Sequence, residues 1–231
     1  MQRFLDNERS AQWVLALMFG LAAVNWPLLP DEVPIHWSSG DAAPDSLGPK
    51  SFGLLFLPVF ALVQYLVFRI VPAFGSSDRL TTLGGYRSNG ETEDTEDPDT
   101  GGDRYWRWMS TILVVILLVV YADMLISFRS LRPHPGAVIG LTLVGLGPLL
   151  RSIEPNPLFG IRTPWTMRSD RCWERTHRFA LLPTLVVGLA LIGSDFLPVD
   201  LGWPAIVGAI AIWGGGLALY SYVQWRNGAD R

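Results

Sequence analysis

Long apolar runs separated by short polar stretches govern this chain. Six runs are candidates for membrane spans, at about residues 11–29, 52–72, 107–128, 136–152, 179–197 and 203–225, because a hydrocarbon core takes roughly 20 apolar residues per helix. The fourth, GAVIGLTLVGLGPLLRS, is short and rich in glycine. The first follows a mixed-charge lead (Arg3, Asp6, Glu8, Arg9) and no small-residue cleavage pattern comes after it. It reads as a retained span, not as a signal peptide. The pattern predicts an all-α integral membrane protein, a polytopic bundle of about six transmembrane helices.

Between the fourth and fifth runs the chain breaks its own pattern. Residues 153–180 read IEPNPLFGIRTPWTMRSDRCWERTHRFA, with Arg162, Arg168, Arg171, Arg175 and Arg178 among them. Pro155, Pro157 and Pro164 each remove a backbone donor and push the preceding residue towards extended geometry, and Gly160 adds a free joint. The first half is therefore no regular helix. From Ser169 the punctuation stops, and Ser169 or Asp170 can cap a helix that runs into the fifth span. On that helix Trp173, Thr176, His177 and Ala180 share one face, while Arg171, Arg175 and Arg178 share another.

Composition supports the membrane reading. The chain is 49% hydrophobic and only 17% charged, where a soluble domain is about a quarter charged. A net charge of −3 argues against nucleic acid as a partner, since a surface for phosphates needs a basic excess. Cys172 is the one cysteine and excludes an intramolecular disulfide. Arginine supplies nearly all the positive charge, with Lys50 the sole lysine, which suits a GC-rich or salt-adapted prokaryote.

Charge also sets the expected topology. Six spans with the N-terminus inside put fifteen of the eighteen Lys and Arg residues on the cytoplasmic side, leaving Lys50, Arg129 and Arg132 outside. If the fourth run did not span, the six arginines from Arg151 to Arg178 would move outside, against the positive-inside bias. The expectation is a multi-pass cell-membrane protein with both termini cytoplasmic. Three parts follow: residues 1–75, two spans with an outer loop at 30–51; residues 76–104, a linker; and residues 105–231, four spans with the loop 153–178 inside. Glu91, Glu93, Asp94, Glu96, Asp97 and Asp99 fall in the linker with no apolar residue among them. Such a segment is expected to be disordered, because it buries too little surface to offset ordering.

One resemblance is visible in these residues. PNPLFGIRTPWT followed by W-x-x-T-H-R resembles the signature loop of the SdpI family of membrane immunity and signalling proteins. Pro155, Asn156, Gly160, Ile161, Arg162, Thr163, Pro164, Trp165, Thr166, Trp173, Thr176, His177 and Arg178 carry it. Upstream, LPDEVPIHWSSGDAAPDSLGPK is similar to an extracytoplasmic segment of that family through Pro30, Pro34, Ile35, His36, Trp37, Gly40, Asp45 and Lys50, with Pro58 in the next span. Together the two segments cover about a fifth of the chain. Cys172 departs from the family's usual aliphatic or acidic residue, and the acidic insert is a second departure. The resemblance implies a non-enzymatic protein that protects against a secreted membrane-active toxin, in some members coupled to holding a transcriptional repressor at the membrane. Its implied partners, beside the lipid bilayer, are a peptide toxin outside and a repressor inside.

The candidate ligand or partner residues are Asn156, Gly160, Arg162, Thr163, Pro164, Trp165, Trp173, Thr176 and His177, with His36, Trp37 and Asp123 elsewhere. Two readings of the loop stand side by side. Arg162 can offer a planar fork to a carboxylate or phosphate in a preformed pocket. Alternatively the arginines meet lipid headgroups and the tryptophans form an interfacial belt. Asp123 is an acid within a span, a functional candidate by default, yet it lies near its helix end with Arg129 and Arg132 close enough to neutralise it. His36 is expected to pack on Trp37.

His36 and His134 fall on one side and His177 on the other, so no catalytic zinc site and no cofactor are expected. The GxSxG, Walker and HExxH patterns are absent. Gly136 with Gly140, and Gly214 to Gly216, suit close helix packing, foremost within the chain. The alternatives to immunity are a small-solute transporter using Asn25, Gln64 and Asp123, or an enzyme acting on a phosphate-bearing lipid through Arg162 and His177.

Overall fold

The computed structural model describes residues 8–37, 44–74, 101–151, 153, 155, 159–197 and 202–228. Six long helices appear in order: α1 (Glu8–Asn25), α2 (Lys50–Phe74), α3 (Gly101–Ser130), α4 (Pro135–Leu150), α5 (Asp170–Ser194) and α6 (Gly202–Arg226). Four of them hold segments long and apolar enough to cross a membrane: Lys50–Ile70, Arg107–Ser130, Asp170–Ser194 and Gly202–Arg226. Helices α1 and α4, with 18 and 16 residues, are the shorter pair. Outward-facing side chains on the long helices are themselves apolar: Val59, Val63, Leu66 and Ile70 on α2, Leu182, Val186 and Leu189 on α5, Val207, Ile212 and Leu219 on α6. That inverts the surface of a soluble bundle and matches a lipid solvent. The protein is an all-α, multi-pass membrane protein.

A short hairpin interrupts the helices. Strand β1 (Glu32–His36) pairs antiparallel with β2 (Ser46–Pro49), Val33 opposite Gly48 and Pro34 opposite Leu47, with an irregularity between Pro34 and His36. The prolines and glycines of this stretch hide its alternation, and no strand was expected there. The expected acidic linker lies outside the described residues as far as residue 100; α3 begins at Gly101.

The chain divides into two compact units. The first holds α1, the hairpin, α2 and α3. Met18, Val33, Leu54, Ala61, Val114, Tyr121 and Phe128 form its core, and the Tyr121 hydroxyl donates to the Leu54 carbonyl at 3.0 Å. Lys50 pins the hairpin base: its backbone N–H donates to the Asp31 carbonyl at 2.8 Å, and its ammonium pairs with the Asp31 carboxylate at 2.9 Å and lies 5.6 Å from the Trp26 ring centre.

The second unit holds α4, α5 and α6 with the loop between α4 and α5. Helices α4 and α5 meet along a glycine seam. A Cβ on Gly140 would strike the Gly188 carbonyl, and one on Gly136 would lie 2.6 Å from the Leu191 carbonyl oxygen. Side chains larger than hydrogen would drive these backbones apart, so the Gly136/Gly140 pair packs within the chain. At Gly214, Gly215 and Gly216, by contrast, nothing lies within 4 Å of an added Cβ. The Asp195 carboxylate closes one end of the pair by accepting the Ala137 N–H at 2.6 Å. Helix α6 joins α5 through Trp213 Nε1 donating to Thr184 Oγ1 at 3.1 Å and through Phe179 stacked on Tyr220 at 3.9 Å.

Candidate functional site

The loop between α4 and α5 is held by a few buried polar contacts, all in the second unit. Ser169 caps α5 with its hydroxyl, which accepts the Cys172 N–H at 3.2 Å. That fixes the phase of the helix and turns Trp173, Thr176, His177 and Ala180 inward, all buried. The face holding Trp and His is thus the loop's seat. Phe159 and Ile161 descend from the loop into an apolar cluster with Leu150, Ala180, Leu217 and Trp213.

His177 is the clip. The Ile161 N–H donates to His177 Nε2 at 2.8 Å, so that nitrogen is an acceptor and carries no proton. The proton therefore sits on Nδ1, which donates to the Trp173 carbonyl at 2.9 Å. The ring is neutral, 1% exposed, and stacked on Trp173 with centres 4.0 Å apart. Trp173 in turn donates its indole N–H to the Ile153 carbonyl at 2.8 Å, at the start of the loop. Gly160 lets the chain pass. Its φ is +121°, and a Cβ there would lie 2.6 Å from His177 Nε2 and 2.8 Å from Trp173 Cη2.

Thr166 is the second fastening. Its hydroxyl donates to the Ile161 carbonyl at 2.7 Å and accepts the Thr163 N–H at 2.9 Å. Thr163 Oγ1 accepts the Thr166 N–H at 3.2 Å and lies 3.0 Å from Ser221 Oγ on α6. Ser221 gives its own proton to the Ala218 carbonyl at 2.7 Å, so Thr163 is the donor between them. Cys172 Sγ meets the Ser221 carbonyl at 3.4 Å. A 3₁₀ turn, Thr166–Arg168, then leads into α5. Beneath the loop, on α5, the buried Thr176 hydroxyl has no partner among the described residues.

What remains outside is Arg162. It is exposed, and among the described residues no hydrogen bond or ion pair engages it. Pro164 beside it is exposed as well. Trp165 packs edge-on against Tyr222 at 5.1 Å and lies 6.5 Å from Trp225. The loop thus presents a guanidinium that is free among the described residues, in the same short segment as a cluster of three aromatic rings. Asn156 lies outside the described residues. Thr166, Ile161 and Ser221 join the sequence candidates in holding the loop; the T-P-W-T spacing hints at the Thr163–Thr166 bracket, whereas nothing local marks Ser221.

His36, Trp37 and Asp123 lie in the first unit. His36 Nδ1 is 2.7 Å from Asp45 Oδ1, with side chains 65% and 36% exposed, so its ring is held against the loop that follows its strand. Trp37 donates its indole N–H to the Leu131 carbonyl at 3.2 Å. Asp123 is held by His134, whose backbone N–H reaches both carboxylate oxygens at 3.2 Å and whose Nδ1 lies 3.0 Å from Oδ1. Neither expected arginine neutralises it: Arg129 donates to Asn25 Oδ1 at 3.0 Å instead. Among the described residues no three His, Cys, Asp or Glu side chains converge as metal ligands.

Comparisons with known proteins fall on the same stretches. Residues 152–221 match the SdpI/YfhL protein family, and residues 13–62 match a domain of unknown function (DUF1648). The chain is 26% identical over 183 residues to the immunity protein SdpI of Bacillus subtilis (strain 168), covering 79% of this chain and 78% of that one. No solved structure matches. With the described part of the loop, α5 and most of α6 inside one family match, the chain is similar to the SdpI/YfhL family over residues 152–221 and to an immunity protein over most of its length.

Proposed function

We propose that this chain is an SdpI-like immunity protein that protects its cell from a secreted membrane-active toxin without catalysing a reaction, and that the α4–α5 loop passes the toxin's presence to a cytoplasmic repressor. Likeness to a protein named for immunity supports the first part. The observation behind the second is Arg162, exposed and unengaged among the described residues, between Ile161 and Thr163, which are both held by hydrogen bonds. A rigid backbone lowers the entropy lost when a partner binds, and a guanidinium fork suits a carboxylate or phosphate. In this reading both termini and the loop are cytoplasmic and the hairpin faces outward, in keeping with the arginine bias. Trypsin should then cut the loop in inside-out vesicles and spare it in intact cells; cutting in intact cells would reverse the orientation.

The loop is tested by Arg162→Lys, which keeps the charge and removes the fork. Cells challenged with the cognate toxin should lose about tenfold or more in protection, the loss expected when a charge-assisted bidentate contact becomes single. Arg168→Lys, also exposed, is the control and should be mild. Full protection by Arg162→Lys at equal membrane level would make the loop an ordinary interface anchor.

A further inference from the structure

One end of the first unit is built unlike the rest. Its core is apolar from Val14 to Met18 on α1, from Leu54 to Ala61 on α2 and from Val114 to Phe128 on α3. One turn further on, polar side chains join the inward positions beside Ala11 and Ile112. Helices α2 and α3 run antiparallel, with Tyr121 bonded to Leu54. Keeping that register, with Ala61 level with Val114, brings Gln64 level with Thr111 and Ser110. On α1, Gln12 donates to Tyr65 Oη at 3.1 Å, which puts Ser10 within about a turn of that level. Ser10, Ser110 and Thr111 are all buried, and the Thr111 hydroxyl donates to the Arg107 carbonyl at 2.9 Å.

Within this layer the Gln64 amide nitrogen, the Gln64 amide oxygen and the Ser110 hydroxyl are covered by protein and have no hydrogen-bond partner among the described residues. An apolar span has no reason to bury a glutamine amide, and a buried polar group without a partner destabilises the packing that covers it. A Leu at residue 64 would suit the closed bundle better.

We propose that the Gln64–Ser110 layer is the closed form of an aqueous inlet between α1, α2 and α3. Opening this end of the unit hydrates the amide and the hydroxyl, which offsets the apolar contacts given up nearby. The two arrangements are therefore close in free energy, as a two-state element requires. The deeper apolar core keeps the unit together while the polar end parts. The guest is water in the first instance, and the amide with its neighbouring hydroxyl offers both a donor and an acceptor to a small polar solute that follows it. The inference is independent of the immunity reading.

Thiol chemistry tests it, because Cys172 is the sole native cysteine and lies in the other unit. In a Cys172→Ala background, Ser110→Cys is treated in membranes with a charged methanethiosulfonate, which reacts with hydrated thiolates. Ala61→Cys in the apolar core and Leu66→Cys on the lipid-facing side are references. Ser110→Cys should react about tenfold or more faster than both, as an opening equilibrium demands. Adding Gln64→Leu should slow that reaction and raise the melting temperature of the detergent-extracted protein. If Ser110→Cys fails to reach the membrane, Gln64→Cys serves as the reporter, with Ser110→Ala as the second change. Labelling no faster than at Ala61→Cys overturns the inlet. So does fast labelling that Gln64→Leu leaves untouched, since the layer would then not drive the opening.

Discussion

Gly160→Ala isolates what the loop's fastening is worth. The added methyl meets two obstacles: the backbone at φ +121°, and His177 Nε2 with Trp173 Cη2, at 2.6 and 2.8 Å. Holding a non-glycine residue in that backbone region costs about 1–3 kcal/mol. Pushing the His177 ring aside breaks its bond from the Ile161 N–H, and a buried acceptor and donor left apart cost about 1–3 kcal/mol. Together these give roughly 2–6 kcal/mol, at least about thirtyfold in the open population of the loop. The assay is limited trypsin cleavage after Arg162 and Arg168 in vesicles exposing the loop, because cleavage needs a locally unfolded stretch and its rate follows the open population. Cleavage should accelerate by about thirtyfold or more, while the α4–α5 pair, joined by its own seam, stays inserted. An unchanged cleavage rate in a correctly inserted Gly160→Ala protein would refute the clip formed by Gly160, His177 and Ile161.

Two further substitutions separate packing from polar holding. Gly140→Leu should lower the melting temperature of the detergent-extracted protein by several degrees or block insertion, since overpacking costs about 1–3 kcal/mol or more; Gly214→Ala, where space is open, should be neutral or slightly stabilising through helix propensity. Equal effects at the two sites would dismiss the seam. Asp123→Ala should cost about 1–3 kcal/mol by stranding the His134 N–H and ring, with Asp123→Asn intermediate because one acceptor oxygen survives. A protein whose melting is unmoved but whose protection is lost would make Asp123 a functional acid and not a clamp for the turn before α4.

Apolar run lengths and arginine spacing made the helices legible, and prolines made the loop legible. The α5 cap at Ser169 and the Gly136/Gly140 contact could be read because each depends on residues a few positions apart. The hairpin could not: Pro34, Gly48 and Pro49 interrupt a strand too short for alternation to show. The roles within the loop were also hidden. Helical spacing put Trp173 and His177 on one face, but whether that face looks towards a partner or towards the chain itself depends on Ile161 and Ser221, brought there by tertiary packing. Likewise nearness in sequence favoured Arg129 or Arg132 for Asp123, while the turn before α4 delivered His134.

The 16 residues of α4 rise only about 24 Å, short of the roughly 30 Å of a hydrocarbon core. The seam binds α4 closely to the longer α5, so it cannot slide to compensate. A span this short calls for a thinner bilayer beside it, or for flanking residues that fill the missing turns. Phe159 and Ile161, packed with Leu150 and Trp213, are residues suited to that depth. Irregular backbone at membrane depth survives only where protein satisfies its polar groups. Among the described residues the contacts of Thr163, Thr166 and His177 are partners of that kind for the loop backbone.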